Sequence, residues 1–338
     1  MRLLVLGGTR FLGRAIVDEA CTRGYDVTTF SRGRSGRSRP GAETLRGDRT
    51  DPGDLWQLGQ REWDAVIDTS VLAPAHVTAS AQVLAGRARH YTYISTLSVY
   101  AGYPAEAATE DSPTLACPPD AVGTVADLGY GQLKAGCERA VSGMFPGRCL
   151  IVRPGLIVGP HENVRWTTWW LARLARGGTV LAPAAGTPVR MADVRDLAAW
   201  VVDNTRRCLP ATVNVPGPEG ATFGTLLTEG ARLAAAGGHP GAELRWTPDD
   251  DLLGAGVGPW TELPMWAPAI PGFAGIWAVP GDRAVRTGMR YRPLSDTVHD
   301  TWLWLMHEGA AGGAQAPAGL LEVGLDPDRE RAILAALG

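Results

Sequence analysis

The chain has 338 residues, enough for one large domain or two modest ones with a full-sized core. Hydrophobic residues make up 45% and charged residues 20%, and the mean hydropathy is −0.04, which is typical of ordinary soluble globular proteins and excludes wholesale disorder. The 32 basic and 35 acidic side chains leave a net charge of −3, so nucleic acid or an anionic membrane would need a local basic patch.

The first residues carry no targeting signal that we recognise. The apolar stretch 1–6 runs into two glycines and is too short for a signal peptide, and no apolar run approaches the roughly 18 residues of a membrane span. We therefore expect a cytoplasmic protein with neither a membrane nor a nucleic-acid partner. The five cysteines form no C-x-x-C pair, so neither a disulfide framework nor a metal site is predicted.

Strand-like and helix-like patterns alternate along the first 215 residues. Strands are predicted at 1–6, 26–30, 65–68, 91–95, 149–153 and 211–215, and helices at 11–20, 78–85 and 130–141. The stretch 192–203 is predicted as the end of a strand followed by a helix. This alternation predicts an α/β fold, a doubly wound parallel (Rossmann) sheet with helices on both faces. After residue 215 the composition changes, and a smaller C-terminal domain is expected there as the substrate domain.

The domain limits follow from changes in composition. The stretch 101–129 holds four prolines and reads as a long loop, and 216–286 is rich in Pro, Gly and Trp. A helix is predicted at 294–307, and a last one begins with Asp326 as its N-cap. The predicted units are a dinucleotide-binding domain at 1–160, completed by about 190–215, a substrate domain at 161–189 and 216–308, and a linker with a terminal helix at 309–338.

A glycine-rich turn joins the first strand to the first helix. The pyrophosphate of a dinucleotide needs a turn without side chains, where backbone N–H groups and a helix N-terminus can reach it. The turn therefore predicts a dinucleotide site. The residues predicted to contact the cofactor in this segment are Gly7, Thr9, Arg10, Phe11, Leu12 and Gly13.

The end of the second strand indicates which dinucleotide binds. An NAD site is expected to carry Asp or Glu there for the ribose 2′-hydroxyl, but this chain has Ser31 and Arg32. Guanidinium groups bind phosphate through paired donors, so Arg32, with Ser31 and Arg10, could surround a 2′-phosphate. We predict NADP, with NAD as the alternative. Asp48 follows a further probable strand, which precedes the one at 65–68, and could accept a hydrogen bond from the adenine amine. Its neighbour Arg49 is also predicted to bind the cofactor.

Tyr130 and Lys134 are four residues apart on a predicted helix, which places phenol and ammonium on one face about one turn apart. Lys134 is the only lysine of the chain, so the remaining basic residues are all arginines. A tyrosine has an ordinary pKa of about 10, and a fixed cation beside it favours phenolate and lowers that pKa. The pair predicts a general acid/base, with the lysine also holding the ribose of a nicotinamide cofactor.

A hydroxyl-rich segment, 93–100, lies at the carboxyl end of the predicted strand 91–95, where open α/β sheets bind ligands. A hydroxyl there can hydrogen-bond a substrate carbonyl oxygen and share its developing charge with Tyr130.

Together these motifs resemble the extended short-chain dehydrogenases/reductases, the NAD-dependent epimerase/dehydratase family, over about residues 1–308. The segments that carry the resemblance are the glycine turn, Ser-Thr-x-Ser-Val-Tyr at 95–100, Y-x-x-x-K at 130–134, Arg-Pro-Gly at 153–155 with Gly-Pro at 159–160, and 193–198. The resemblance implies that Thr96 is the catalytic Ser/Thr, that Tyr130 is the general acid/base, and that Lys134 lowers its pKa. It also implies that Thr69 and Pro154 line the nicotinamide, and it allows a homodimer through paired helices.

The chain departs from the family pattern at three places. Arg10 replaces the usual middle glycine of the turn. Leu97 and Ser98 stand where sugar-nucleotide dehydratases carry Asp-Glu, which disfavours dehydratase activity. Thr96 and Tyr130 are unusually far apart, so 101–129 could form a lid or a substrate wall.

Three functions are compatible with these residues. The first is an NADP-dependent oxidoreductase that reduces a ketone, or oxidises the alcohol, of a small-molecule substrate. The second is a nucleotide-sugar epimerase that retains NAD(P). The third is a non-catalytic cofactor-sensing or RNA-associated relative, which a complete Thr, Tyr and Lys set and the acidic balance disfavour.

The substrate region gives mixed indications between the first two functions. Arginines available for a diphosphate are Arg165, Arg173, Arg176 and Arg190. Tryptophans that suggest a flatter, more apolar substrate are Trp166, Trp169, Trp170, Trp260, Trp266 and Trp277. Residues 161–163 could face the substrate.

Overall fold

A parallel sheet forms the centre of the computed structural model, which describes residues 1–33, 39–71, 73–309 and 323–337. The strands of the described residues are β1 Arg2–Leu6, β2 Asp26–Ser31, β3 Glu43–Arg46, β4 Ala65–Asp68, β5 Tyr91–Ile94, β6 Cys149–Pro154, β7 Leu156–Val158, β8 Gly178–Pro183, β9 Met191–Asp193, β10 Ala211–Val215, β11 Ala242–Thr247, β12 Pro259–Trp260 and β13 Leu263–Pro264.

Helices cover both faces of the sheet and build the C-terminal part. They are α1 Phe11–Thr22, α2 Pro52–Leu55, α3 Pro74–Leu84, α4 Val125–Leu128, α5 Tyr130–Met144, α6 Trp166–Ala175, α7 Val194–Arg206, α8 Phe223–Ala236, α9 Asp249–Gly254, α10 Asp282–Arg286, α11 Leu294–Trp304 and α12 Pro327–Ala336. Short 3-10 turns lie at Trp56–Gln60, Leu97–Val99 and Pro271–Phe273, and a π-helical turn at Leu305–Gly309 follows α11.

The order of the central sheet is β10-β6-β5-β4-β1-β2-β3, and the pairings are parallel. The predicted doubly wound fold is therefore confirmed. Because β1 pairs with β2 on one side and with β4 on the other, the strand order reverses at β1. Ligands of such sheets bind at the carboxyl ends of the strands at this reversal.

The packing of β1 explains why its last four residues, 3–6, are all apolar. Leu3 and Val5 pack on one face with Ile16 of α1 and Trp200 of α7. Leu4 and Leu6 pack on the other face, in a core that α3 and α5 complete. A parallel strand buried on both faces needs a continuous apolar run rather than an alternating one.

A second core lies in the C-terminal part and is built around α6, α8 and the β8–β11 pair. Trp170 is fully buried there, and its indole N–H donates to the Pro264 carbonyl at 2.9 Å. The segment 101–129 is held against the sheet: the Glu110 carboxylate accepts from Asn214 N at 3.1 Å, and Arg153 donates to the Glu110 carbonyl at 3.3 Å.

Element bounds differ from the predicted ones by one to four residues at several places, two of which are informative. α3 begins at Pro74 rather than at 78, because a proline is well suited to a first helical turn. The predicted helix at 294–307 is α-helical only to Trp304 and then turns π-helical. At α12, Asp326 accepts from Asp328 N and Arg329 N, as its predicted N-cap role requires. Residues 310–317 of the predicted linker lie outside the described residues.

Within the described part of the chain, none of the helices is long and apolar enough to cross a membrane.

Candidate active site

A cleft of about 560 Å³ opens at the carboxyl ends of β1, β2, β4 and β5. Every residue that the sequence singled out for catalysis or cofactor binding lines this cleft. They are Gly7, Thr9, Arg10, Phe11, Leu12, Gly13, Ser31, Arg32, Asp48, Arg49, Thr69, Thr96, Tyr130, Lys134 and Pro154. The roles of the individual residues stay predictions, but the fold brings the residues together.

The glycine turn leaves no room for side chains. Gly7 has a φ of +106°, and a Cβ on it would lie 2.5 Å from Thr69 Oγ1. A Cβ on Gly13 would lie 2.8 Å from Gly8 N. The first turn of α1 carries no acidic residue, and its N-cap residue Arg10 makes no side-chain cap. The turn therefore fits the pyrophosphate of a dinucleotide, which backbone N–H groups and the helix N-terminus would hold.

Arginines flank the end of the cleft nearest to β2. Arg32 follows β2, keeps 58% of its side chain exposed, and lies 4.0 Å from Asp48. Arg10 is also exposed. The Asp48 carboxylate accepts from Thr50 N at 3.0 Å and from Thr50 Oγ1 at 2.9 Å. This end therefore presents guanidinium groups to a ligand, together with one carboxylate held by its own turn.

Arg49 is placed differently from its neighbour Asp48. Its guanidinium donates to both carboxylate oxygens of Asp68, at 2.8 and 2.9 Å, and to Ser70 Oγ and Ser80 Oγ at 2.5 Å each. Burial opposes ionisation of Asp68, but the Arg49 charge and these hydrogen bonds hold the pKa of Asp68 below its ordinary value. Arg49 lines the cleft, yet its NH1 and NH2 groups are bound to protein oxygens. Its predicted role in cofactor binding stays a prediction, and in this arrangement these two groups serve the protein.

Tyr130 begins α5, and Thr96 precedes the 3-10 turn that follows β5. A Cβ on Gly131 would lie 2.1 Å from the Ser98 carbonyl, so only a glycine lets α5 approach the 97–99 turn this closely. Burial raises the pKa of Tyr130 to about 12, and a hydrogen bond with Thr96 acts in the opposite direction. The Thr96 hydroxyl is itself 3.3 Å from Ser98 Oγ and 3.2 Å from Ser98 N.

Lys134 is 2% exposed and lies on the same face of α5 as Tyr130. Its ammonium donates to the Ile94 carbonyl at 2.6 Å, the Ser70 carbonyl at 3.0 Å and the Tyr93 hydroxyl at 3.2 Å. At the Tyr130 phenol burial is the dominant influence in this arrangement, and the lowering of its pKa by Lys134 stays a prediction.

A buried ion pair lies beside Thr96 and the 3-10 turn that follows it. Arg153 donates to both oxygens of Glu138, at 2.9 and 2.6 Å, and Ser95 also donates to Glu138. Arg153 further donates to the Tyr100 hydroxyl at 2.9 Å, which in turn donates to Asn214 at 2.6 Å. These bonds connect β6, β10 and α5 to the residues on either side of Thr96, so they fix its backbone.

Several residues that line the cleft received no individual role from the sequence, among them Ser70, Ile94, Ser95 and Ile157. Ser70 and Ile94 contribute backbone carbonyls to Lys134, and a backbone contact leaves no signal in residue types. Of the three residues suggested to face the substrate, Asn163 lines the cleft. Glu162 is instead fully buried and accepts from Thr167 N at the start of α6.

Two of the four arginines considered for a diphosphate are bound within the protein. Arg173 pairs with Glu330 at 2.6 Å and donates to two carbonyls, and Arg190 donates to the carbonyls of Gly217, Trp277 and Val279. Arg165 and Arg176 are exposed. Of the tryptophans, Trp169, Trp170 and Trp266 are buried in the second core, whereas Trp166, Trp260 and Trp277 are half-buried and in ring contact.

No group of three or more His, Cys, Asp and Glu side chains that could hold a metal ion occurs among the residues that the structure describes.

Comparisons with known proteins agree with this architecture. The model of the NAD dependent epimerase/dehydratase family matches residues 3–207. The chloroplast stem-loop binding protein of 41 kDa b from Arabidopsis thaliana is 25% identical over 261 residues, which cover 72% of this chain and 65% of that protein. The chain thus matches less than two thirds of that relative's length.

Solved structures share the fold at low identity. The Bordetella bronchiseptica enzyme WbmH in complex with NAD+ has a TM-score of 0.68 and 17% identity, with 91% of this chain and 99% of that chain covered. The UDP-glucose 4-epimerase of Thermus thermophilus in complex with NAD has a TM-score of 0.63 and 18% identity, covering 91% and 100%. At these identities the likeness is one of fold.

Proposed function

The chain belongs to the NAD dependent epimerase/dehydratase family of NAD(P)-dependent enzymes, and we propose that it interconverts a secondary alcohol and its ketone on a small-molecule substrate. One observation carries the proposal: Thr96, Tyr130 and Lys134 line the same cleft as the glycine turn. Hydroxyl, phenol and ammonium are the groups that move and stabilise a proton at a substrate oxygen.

Each residue has a chemical part in this reaction. The Tyr130 hydroxyl gives its proton to the substrate oxygen when a ketone is reduced and takes it back when the alcohol is oxidised. Thr96 donates a hydrogen bond to the same oxygen and shares its charge. Lys134 would turn one of its three N–H donors from a backbone carbonyl, that of Ser70 or Ile94, to the ribose of a bound cofactor. A nicotinamide bound in the cleft would supply or accept the hydride.

Two net reactions use this chemistry. In net ketone reduction, which the sequence analysis puts first, the reduced cofactor is consumed and exchanged. In epimerisation, the transient ketone is reduced again on its opposite face and the nucleotide stays bound. The family match and the UDP-glucose 4-epimerase among the relatives favour epimerisation. A nucleotide-sugar substrate would rely on Arg165 and Arg176, since Arg173 and Arg190 are paired within the protein.

We further propose NADP as the preferred cofactor. The end of β2 carries Ser31 and the exposed Arg32 rather than an acid, and Arg10 projects from the neighbouring turn. A guanidinium binds a 2′-phosphate through paired N–H donors, whereas the ribose 2′-hydroxyl of NAD calls for a carboxylate. The experiment is the ratio of affinities for NADPH and NADH. Equal affinities or a preference for NADH would overturn the preference for NADP and leave the reaction class intact.

The chain is proposed to comprise a dinucleotide-binding domain, 1–160 with 190–215, and a substrate domain, 161–189 with 216–308. The separate core around α6 and α8 supports this division.

The proposed partner is a small-molecule substrate, and no nucleic acid or membrane is expected as a partner. The protein is proposed to be cytoplasmic and able to form a homodimer. The relative that is named for stem-loop binding supports the opposite hypothesis, that this chain binds RNA. A gel-shift titration with a stem-loop RNA tests that hypothesis, and tight binding would overturn the expectation of no nucleic-acid partner.

The direct test of function uses the purified chain and its Tyr130→Phe variant. Mass spectrometry of nucleotide released on denaturation identifies a retained cofactor, which favours epimerisation over net reduction. Tyr130→Phe should lower turnover by at least about 100-fold, because proton transfer contributes roughly 10²–10⁴ to such rates. It should leave NADPH affinity within about threefold, since the phenol acts on the substrate. Unchanged turnover would remove Tyr130 from the mechanism.

A further inference from the structure

Tyr93 is a buried tyrosine next to Lys134 that the proposed reaction does not use. It lies on β5, three residues before Thr96, and is 0% exposed. Its hydroxyl oxygen is 3.2 Å from Lys134 Nζ, and the ammonium lies 4.6 Å from the centre of its ring. Tyr93 therefore meets the only lysine of the chain both through its oxygen and through its π face.

A second contact fixes the direction of the Tyr93 hydroxyl. The hydroxyl is hydrogen-bonded to the side chain of Cys137, which lies three residues after Lys134 on α5. Burial raises the pKa of the Tyr93 phenol well above its ordinary value, so the phenol is neutral. It has a single proton, and when the proton goes to sulfur the oxygen is free to accept from Lys134.

The ammonium has three protons and three protein acceptors. The Ser70 and Ile94 carbonyls follow β4 and end β5, and the third acceptor is the Tyr93 hydroxyl. A lysine ammonium is a point charge on a flexible four-carbon stem, so its position depends on such acceptors. Tyr93 is the one acceptor of the three that a side chain supplies.

We propose that Tyr93 is the positioning residue of Lys134: its hydroxyl and ring hold the charged ammonium against the wall of the cleft, where the lysine meets the ribose of the cofactor. This inference rests on the proposed function for the part that concerns the cofactor. Its geometric part, the hold on the ammonium, concerns residues of this chain alone.

The charge of Lys134 depends on several groups around it. Burial lowers the pKa of Lys134, and Cys137 and Glu138 of α5 and Asp68 of β4 oppose that effect, while Arg49 adds to it. Removing the Tyr93 oxygen takes a charge-assisted hydrogen bond from the ammonium but only a weaker, neutral one from the uncharged amine. The pKa of Lys134 should then fall further, by about one pH unit for a lost charge-assisted hydrogen bond.

The single lysine makes a direct test simple. With ¹³C-labelled lysine in the full chain, the ε-methylene signal in a carbon–proton NMR spectrum comes from Lys134 alone. Its shift is followed from pH 6 to 11 in the wild type and in Tyr93→Phe. We expect the midpoint of the variant to lie about one pH unit lower. An unchanged midpoint would overturn the inference, whatever the chain turns out to catalyse.

Tyr91→Phe is the matched control. Tyr91 is buried on the same strand and donates to Asp68 at 2.8 Å, so the variant also loses one buried hydroxyl. It should keep the wild-type midpoint within about 0.3 units, because Asp68 retains Arg49. A shift as large as that of Tyr93→Phe would mean that any lost hydroxyl in this core has the effect, and would also overturn the inference.

Cofactor binding supplies the second readout. The dissociation constant of NADPH, followed by quenching of tryptophan fluorescence, should be similar for wild type and Tyr93→Phe at a pH below both NMR midpoints, where Lys134 is charged in both. It should rise earlier with pH in the variant, and the difference should approach about tenfold above both midpoints. If the wild type binds neither NADPH nor NADH, the proposed function fails, and the NMR titration still decides the hold on Lys134. If Tyr93→Phe does not fold, Tyr93→Met is titrated in its place with the same expectation.

Discussion

Arg49→Met removes the cation from a buried ion pair while keeping most of the side-chain length. The partners Arg49 and Asp68 are 7% and 0% exposed, and the guanidinium binds both carboxylate oxygens, at 2.8 and 2.9 Å. Two serine hydroxyls lose their contacts to it as well. The variant therefore leaves a buried carboxylate that has lost its cation.

The expected loss in the free energy of unfolding is large compared with the loss from breaking an ion pair at the surface. Breaking a buried pair by removing one partner costs about 3–5 kcal/mol, because an uncompensated charge stays inside the protein. We expect the free energy of unfolding to fall by about that amount near pH 8. Arg61→Met is the matched control, because it breaks the ion pair between Arg61 and Glu43, in which each side chain is 45% exposed. It should lower the free energy of unfolding by about 1 kcal/mol or less.

The dependence on pH has a definite sign. Arg49 holds the pKa of Asp68 below its ordinary value, so the wild type keeps this stabilisation above about pH 4 and loses it only as the pH falls through the lower folded pKa. In Arg49→Met burial acts without that cation and raises the pKa of Asp68 above its unfolded value. Lowering the pH then neutralises the carboxyl in the folded variant, so the difference between variant and wild type should shrink from pH 8 to pH 5.

Urea unfolding followed by tryptophan fluorescence at pH 8, 6.5 and 5 measures these differences. If Arg49→Met lowers the free energy of unfolding by less than about 1 kcal/mol at pH 8, the pair does not contribute the expected stability. If the decrease has the expected size but stays constant down to pH 5, the charge of Asp68 is not its cause.

Two further predictions concern the cofactor cleft. Gly13→Ala should weaken NADPH and NADH binding by at least about tenfold in fluorescence titrations, because its Cβ would lie 2.8 Å from Gly8 N and would displace the phosphate-binding turn. Gly143→Ala, whose Cβ would meet nothing within 4 Å, is the control, and equal affinities of the two variants would contradict the assignment. Arg32→Asp should move the ratio of NADPH to NADH affinity by about 100-fold towards NADH, since it exchanges a phosphate-binding cation for a hydroxyl-binding acid. An unchanged ratio would remove Arg32 from cofactor selection.

Features that depend on neighbours in the chain were predictable. The alternation of apolar runs and helical patterns predicted the parallel sheet and most of its strands, because burial on both faces requires such runs. The spacing of Tyr130 and Lys134 placed both groups on one helix face, and Asp326 signalled the start of α12. The glycine turn predicted where the cleft opens, since the carboxyl ends of β1 and β4 meet there.

Only the tertiary structure decided what the individual charged and polar groups contact. Arg49 and Asp68 are 19 residues apart, and nothing in their types distinguishes a buried pair from an exposed arginine next to a ligand. The same holds for Arg173 and Glu330, which are 157 residues apart, and for Lys134, whose partners include two backbone carbonyls. A guanidinium or an ammonium has the same charge and donors at every position. Its burial and its partner are set by which distant segments the sheet and the helices bring beside it.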